Sequence, residues 1–146
     1  MTGTIGEYYV CAKLCEYGYL ALLTPKNNPL FDVIATTLDG EKSIVVQVKT
    51  RSAKNNQGWK FGKNMTDQIN KGDLFVVLVN LKSDNPPDFY IYSYSELARL
   101  VQKNFQNYIS QEKKDGSARK DPGFRWLDDN MLNDAKDQSK KIIGSP

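Results

Sequence analysis

An α/β domain, a central mixed sheet flanked by helices, is the fold class this chain predicts, on three observations. Phe31 to Thr37 and Ile44 to Lys49 are apolar runs of strand length, joined through Asp39-Gly40, a hairpin turn pair. Leu74 to Leu81 is almost continuously apolar, as a strand covered on both faces must be. Two stretches with capping signals and helical apolar spacing, near residues 5–17 and 93–108, supply the covering helices. A chain of 146 residues fits one domain with a sizeable core. The core is expected over about 1–110, with a loop and an extra helix over 111–146.

The first helix is expected from about Ile5 to Tyr17, with Thr4 as N-cap, Glu7 three residues on, and Gly18 as its stop. On a helical wheel Glu7 shares a stripe with Val10, Cys11 and Leu14, so its carboxylate faces inward. A capping box explains that position, and so does a role in holding metal or water; the two are compatible. Tyr8 and Tyr9 flank Glu7, and at least one belongs to the core. Cys11 and Cys15, one helical turn apart, read as small buried hydrophobes rather than a disulfide or half a zinc site.

A short strand, Leu20 to Leu23, precedes the turn-rich loop Thr24 to Pro29 and the hairpin. Ser52 to Gly72 is rich in Asn, Lys and Gly, with an extended piece at Trp59 to Lys63 and a short helix at about Met65 to Asn70. After Leu74 to Leu81 comes the Asp84 to Pro87 loop and a strand at Phe89 to Tyr92. Ser93-x-x-Glu96 opens a helix whose stripe is Leu97, Leu100, Val101, Phe105 and Tyr108. Glu112 to Phe124 reads as a polar loop or flap. A final helix is expected at about Asp129 to Ile142, its thin apolar face packing on the domain or on a second copy.

The chain contains no histidine. This removes Ser-His and Cys-His hydrolases, histidine-metal nucleases and HExxH proteases together. Neither a GxxxxGK[ST] loop nor GxGxxG occurs, which disfavours nucleotide-binding enzymes of those classes. No run approaches the ~18 to 20 apolar residues of a membrane span, and the N-terminus lacks a signal-peptide layout, so a soluble cytoplasmic protein is expected.

Ile44, Val46 and Val48 share one face of their strand, and Val45, Gln47 and Lys49 share the other. Two polar heads therefore leave one face of an otherwise apolar strand. The neighbouring strand places a lone Asp32 between Phe31 and Val33. A carboxylate, an amide and an ammonium on adjacent strands point to a magnesium-dependent phosphodiester site. Taken singly, Asp32 is an ordinary strand-edge acid, Gln47 a hydrogen-bonded amide and Lys49 a snorkelling lysine. Their conjunction is what carries the reading.

Glu7, then Pro29-Leu30-Phe31-Asp32, then Gln47-Val48-Lys49 resembles the PD-(D/E)xK nuclease superfamily. The match is to the variant with Gln for the second acid, as in some restriction, intron-encoded and junction-resolving relatives, and it covers mainly the first half of the chain. The resemblance implies a restriction-endonuclease-like αβββαβ core and hydrolysis of phosphodiester bonds in DNA. Glu7, Asp32, Gln47 and Lys49 would be catalytic, with Asp32, Gln47 and the carbonyl of Val48 holding Mg2+ or, in its place, Mn2+. The family has a longer helix where this chain has residues 65–70. Gln68 is a weaker candidate for the glutamine some relatives place near the metal. Gln47 removes one unit charge, whose gross attraction to a cation is ~4 kcal/mol at ~4 Å in an effective dielectric of ~20. Metal binding should therefore be weaker, with Glu7 compensating in part.

The net charge is +3, but six basic residues against the single acid Asp67 lie between positions 49 and 71. Arg51, Lys54, Lys60 and Lys63, interleaved with Trp59, suit a nucleic-acid backbone and its bases. A solvated lysine-rich loop has the same composition, and the placement directly after Gln47-Val48-Lys49 decides for nucleic acid. Cutting both strands of a duplex makes a two-fold homodimer the natural assembly. Two other readings stay open: a non-catalytic nucleic-acid-binding or regulatory module on a degenerate nuclease fold, and a protein-interaction domain whose basic loop meets an acidic partner.

Overall fold

The computed structural model describes residues 1–26, 28, 30–67 and 72–143. Its strands are Tyr19–Leu23 (β1), Val33–Thr37 (β2), Ser43–Arg51 (β3), Trp59–Gly62 (β4), Leu74–Lys82 (β5), Asn85–Ser93 (β6) and Phe124–Leu127 (β7). Its α-helices are Thr2–Glu16 (α1), Tyr94–Ile109 (α2) and the single turn Lys140–Ile143 (α3). A five-stranded sheet runs β1-β2-β3-β5-β6, antiparallel except for the parallel pair β3 and β5. Strands β4 and β7 form a separate two-stranded sheet. The expected mixed sheet with flanking helices is the fold observed.

The period-two pattern of β3 sorts the two cores. Ile44 and Val46 join Val33, Ala35, Val77 and Val79 against Val10 and Leu14 of α1. On the opposite face Val76, Leu78, Tyr90 and Tyr92 pack with Leu97, Ala98 and Val101 of α2, and with Trp59, Phe61 and Leu127 of the small sheet. Helix α1 lies flush on β3 because Gly6 has no side chain: a Cβ there would collide with the hydroxyl of Thr50. Asp39-Gly40 closes the β2–β3 hairpin, with Gly40 at φ +76° and its N–H bonded to Thr37 O at 2.8 Å.

Helix α1 begins earlier than expected. Met1 is its N-cap, without a side-chain cap bond, and Ile5 N–H bonds to Met1 O at 3.2 Å. Thr4 and Glu7 therefore form no capping box, and Glu7 sits in the second turn with its carboxylate released from capping. Cys15 is exposed and Cys11 half-buried, so neither is the buried hydrophobe expected. Tyr8 and Tyr9 are both exposed too, although Tyr9 rests edge-on to Phe89 at 6.5 Å.

Ser93 does cap α2, accepting the Glu96 N–H at 3.2 Å. Between β3 and β5 the chain crosses over through β4 and a 3-10 turn at Lys63–Thr66; the far end of the short helix expected there, and Gln68 with it, lie outside the described residues. The final helix expected over 129–142 does not form. Asp129–Met131 and Asn133–Ala135 are 3-10 turns, and Asp137 adopts φ +54° while its N–H bonds to Phe89 O at 2.9 Å. Tertiary partners divert this segment: it bridges β6 through Tyr90 and Lys136, then buries Leu132, Ala135 and Ile142 on the domain.

Candidate active site

Asp32 lies one residue before β2, and its backbone is pinned from both sides. Its N–H donates to Val46 O at 2.9 Å, and its carbonyl accepts Thr24 N–H at 2.9 Å. Its side chain runs along β3, where Oδ2 accepts the Val48 N–H at 2.7 Å. Strand β2 begins only at Val33, so among the described residues no strand pairs with this edge of β3 beyond Val46. N–H and C=O of one strand residue share an edge. The Val48 carbonyl therefore emerges on the same edge as the Asp32 carboxylate.

Gln47 and Lys49 leave the face of β3 turned away from α1. Gln47 Nε2 donates to Leu30 O at 2.8 Å, which fixes the amide and leaves Oε1 as its acceptor. Lys49 Nζ stands 5.2 Å above the Phe61 ring. Burial pushes the Lys49 amine below the usual lysine range. These groups line a cleft of about 650 Å³ that also takes in Asn28, Asn64 and Asp67.

Glu7 enters from the other side. It lines a hollow of about 310 Å³ with Lys26, Asn28 and Asp32, so Asp32 and Asn28 form a wall common to both cavities. Burial pushes the Glu7 carboxyl above its usual range; the nearby Asp32 carboxylate raises it further, and Lys26 works against both. The fold thus brings Glu7, Asp32, Gln47, Val48 and Lys49 together from α1, the start of β2 and the middle of β3.

No protein-family model matches the chain, and no curated protein matches it in sequence. Solved structures do match. Hjc of Archaeoglobus fulgidus, a Holliday junction resolvase, superposes with a TM-score of 0.60 at 12% identity, over 100% of this chain and 98% of that one. The bacterial homing endonuclease I-Ssp6803I superposes with a TM-score of 0.51 at 14% identity, over 97% of this chain and 89% of that one. The chain has the fold of these two structures.

On this scaffold the donor set fits a hard cation. Asp32 keeps a carboxylate oxygen beyond its bond to Val48, and Glu7, Gln47 Oε1 and the Val48 carbonyl add oxygens of the kind magnesium takes. The Glu7 carboxyl, pushed up by burial and by the nearby Asp32 carboxylate, would be relieved by a bound cation. Among the described residues no group of three or more His, Cys, Asp or Glu could hold a metal, so the neutral oxygens and water would complete the shell.

The basic segment is split by the fold into interior and surface groups. Arg51 is buried, paired through both terminal guanidinium nitrogens with Asp129 at 2.6 and 3.0 Å and lying 4.8 Å over the Trp59 ring. Trp59 is 2% exposed and donates its indole N–H to Asp129 at 3.2 Å. Both were expected to meet nucleic acid; a buried guanidinium and a buried indole with a common carboxylate partner hold β3, β4 and the C-terminal segment together instead. Lys54, Lys60 and Lys63 are exposed, with Lys63 at 3.9 Å from Asp121. Pro29 lies outside the described residues.

Sequence reasoning missed Asn28 and Lys26, which no motif marks, and the aromatic pair Phe124 and Trp126. The second had a signal, since Phe124-Arg125-Trp126-Leu127 carries two of the aromatic residues that strands favour.

Proposed function

We propose that the protein is a cytoplasmic, metal-dependent endonuclease hydrolysing phosphodiester bonds in DNA, with the whole chain working as one unit. The observation that carries the reading is the convergence of Asp32, Glu7, Gln47, Val48 and Lys49 on an open edge of β3. Asp32, the Val48 carbonyl and Gln47 would hold Mg2+, with Mn2+ able to replace it, and Glu7 would assist. The cation supplies neutralisation of the scissile phosphate and a more acidic water. Lys49 donates to a phosphate oxygen and holds the attacking water, helped by the partly apolar surroundings that strengthen its field. Gln47, fixed by Leu30, keeps its oxygen oriented without adding charge. Lys54, Lys60 and Lys63 supply a sequence-independent hold on the backbone.

A homodimer is part of this reading. Leu20, Leu22 and Ile34 are 51%, 58% and 41% exposed, and Leu22 pairs with Ile34 across β1 and β2. Ile34 in turn pairs with Val45, so the patch lies on the face from which Gln47 and Lys49 project. A second copy seated there would put two sites on one side of the assembly. No helix among the described residues is long and apolar enough to cross a membrane.

The decisive experiment is cleavage of plasmid and single-stranded DNA with Mg2+ or Mn2+, comparing wild type with Asp32→Ala and Lys49→Ala. Metal-dependent cutting lost in both variants is the expected result; no cutting by wild type, or equal cutting by the variants, overturns it. A non-catalytic nucleic-acid-binding module is the second reading, favoured by Gln47 and by the small number of acids at the site. Salt-sensitive binding without cleavage would select it.

A further inference from the structure

The small sheet presents an outer face that the site described above does not use. In the β4–β7 ribbon Trp59, Phe61, Arg125 and Leu127 point inward and are buried. Alternation turns Lys60, Phe124 and Trp126 outward, with Lys60 directly opposite Trp126. The exposed face of a two-stranded ribbon ordinarily carries polar residues. Here it carries two aromatics, and Tyr108 at the end of α2 adds a third.

Tyr108 meets Trp126 edge-on at 5.0 Å, Phe124 lies 5.8 Å from Trp126, and together with Lys60 they line an open cleft of about 300 Å³. Cations flank the rings: Lys60 is 5.2 Å from the Phe124 centroid and Arg119 is 4.7 Å from that of Tyr108. The nearby acid Asp121 is engaged by Arg125 at 3.0 Å. Aromatic faces beside cations match the flat ring and adjoining phosphate of an unpaired nucleotide.

The cleft is linked to the candidate active site through shared lining residues. A hollow of about 300 Å³ lies between them, sharing Lys49 with the large cleft and sharing Gln57 and Lys60 with the aromatic one. We propose that the Tyr108, Phe124 and Trp126 cleft is a subsite for an unpaired nucleobase, so that preferred substrates carry single-stranded character beside the cut. This rests on the nucleic-acid reading of the site and names its substrate class.

The test uses the 146-residue chain without metal and two probes: a blunt DNA duplex, and the same duplex with a short single-stranded extension containing 2-aminopurine. Wild type is expected to bind the extended probe more tightly and to quench its fluorescence on stacking. Tyr108→Ala and Trp126→Ala should weaken extended-probe binding about ten-fold and abolish the quench, with blunt-duplex binding unchanged. Phe124→Ala, at the exposed rim, and Trp126→Leu, which retains apolar volume, repeat the comparison at an unchanged melting temperature. Equal affinity of wild type for both probes, or equal loss on both in the variants, overturns the subsite while leaving the nuclease reading intact. Extension-dependent quenching in a protein that never cleaves with metal upholds the subsite and overturns the nuclease reading instead. Binding to neither probe at low salt overturns both.

Discussion

At the residue scale, Lys49 and Gln47 do different electrostatic work in the candidate site. Lys49 is the clearest case. Its ammonium is disfavoured by burial, so below its depressed pKa the charge costs folding stability, a cost that fades as pH rises toward the ordinary lysine value. Lys49→Met should therefore reduce cleavage by about a hundred-fold or more while leaving the melting temperature at neutral pH unchanged or higher. A residue kept for structure would give the opposite pattern. Gln47 is neutral where an acid would add a charge at ~4 Å, a gross gain of ~4 kcal/mol at an effective dielectric of ~20. Gln47→Glu should tighten Mn2+ binding about ten-fold or more by titration calorimetry, and loss of affinity would place Gln47 outside the metal shell.

At the element scale, the site is only as well placed as α1 and the C-terminal segment. Gly6 lets α1 lie on β3, and Glu7 is the next residue. Gly6→Ala forces the helix away from Thr50, so we expect about 1 to 3 kcal/mol of destabilisation in urea unfolding and a loss of activity beyond that of Glu7→Gln. The opposite end is clamped by Asp129, which accepts from Arg51 and Trp59 together. Asp129→Ala leaves a buried guanidinium without its anion. About 2 kcal/mol of stability should be lost, with DNA affinity of the folded fraction unchanged, because Arg51 serves the interior. A fall in affinity without a fall in stability would return Arg51 to the binding surface.

At the scale of the whole molecule, the sheet is covered unevenly. Helix α2 lies over β5 and β6, whereas Leu20, Leu22 and Ile34 on the same face of β1 and β2 stay open. Leu22→Lys should convert the proposed dimer to a monomer by analytical ultracentrifugation and reduce double-strand cutting of plasmid in favour of nicking. A wild-type monomer at working concentration would remove the dimer from the account. The basic charge is likewise unevenly spread: Lys54, Lys60 and Lys63 reach solvent while Arg51 does not, so the charge available to a backbone is smaller than the linear segment advertises.

The order of elements, the β2–β3 hairpin, the two faces of β3 and the pairing of Asp32 with Gln47 and Lys49 were all legible in the sequence. Each rests on local rules: alternation within a strand, turn chemistry at Asp39-Gly40, and the cap at Ser93. The start of α1, the strand at Phe124–Leu127, the breakup of the last helix and the burial of Arg51 and Trp59 were decided by tertiary structure. In each of these, partners distant in sequence overrode local preference: Thr50 beneath Gly6, β4 beside β7, Phe89 against Asp137, and Asp129 beneath two side chains. Lysine and arginine look alike in a linear count of charge, and only the fold separates the cation that meets solvent from the buried cation that meets a carboxylate.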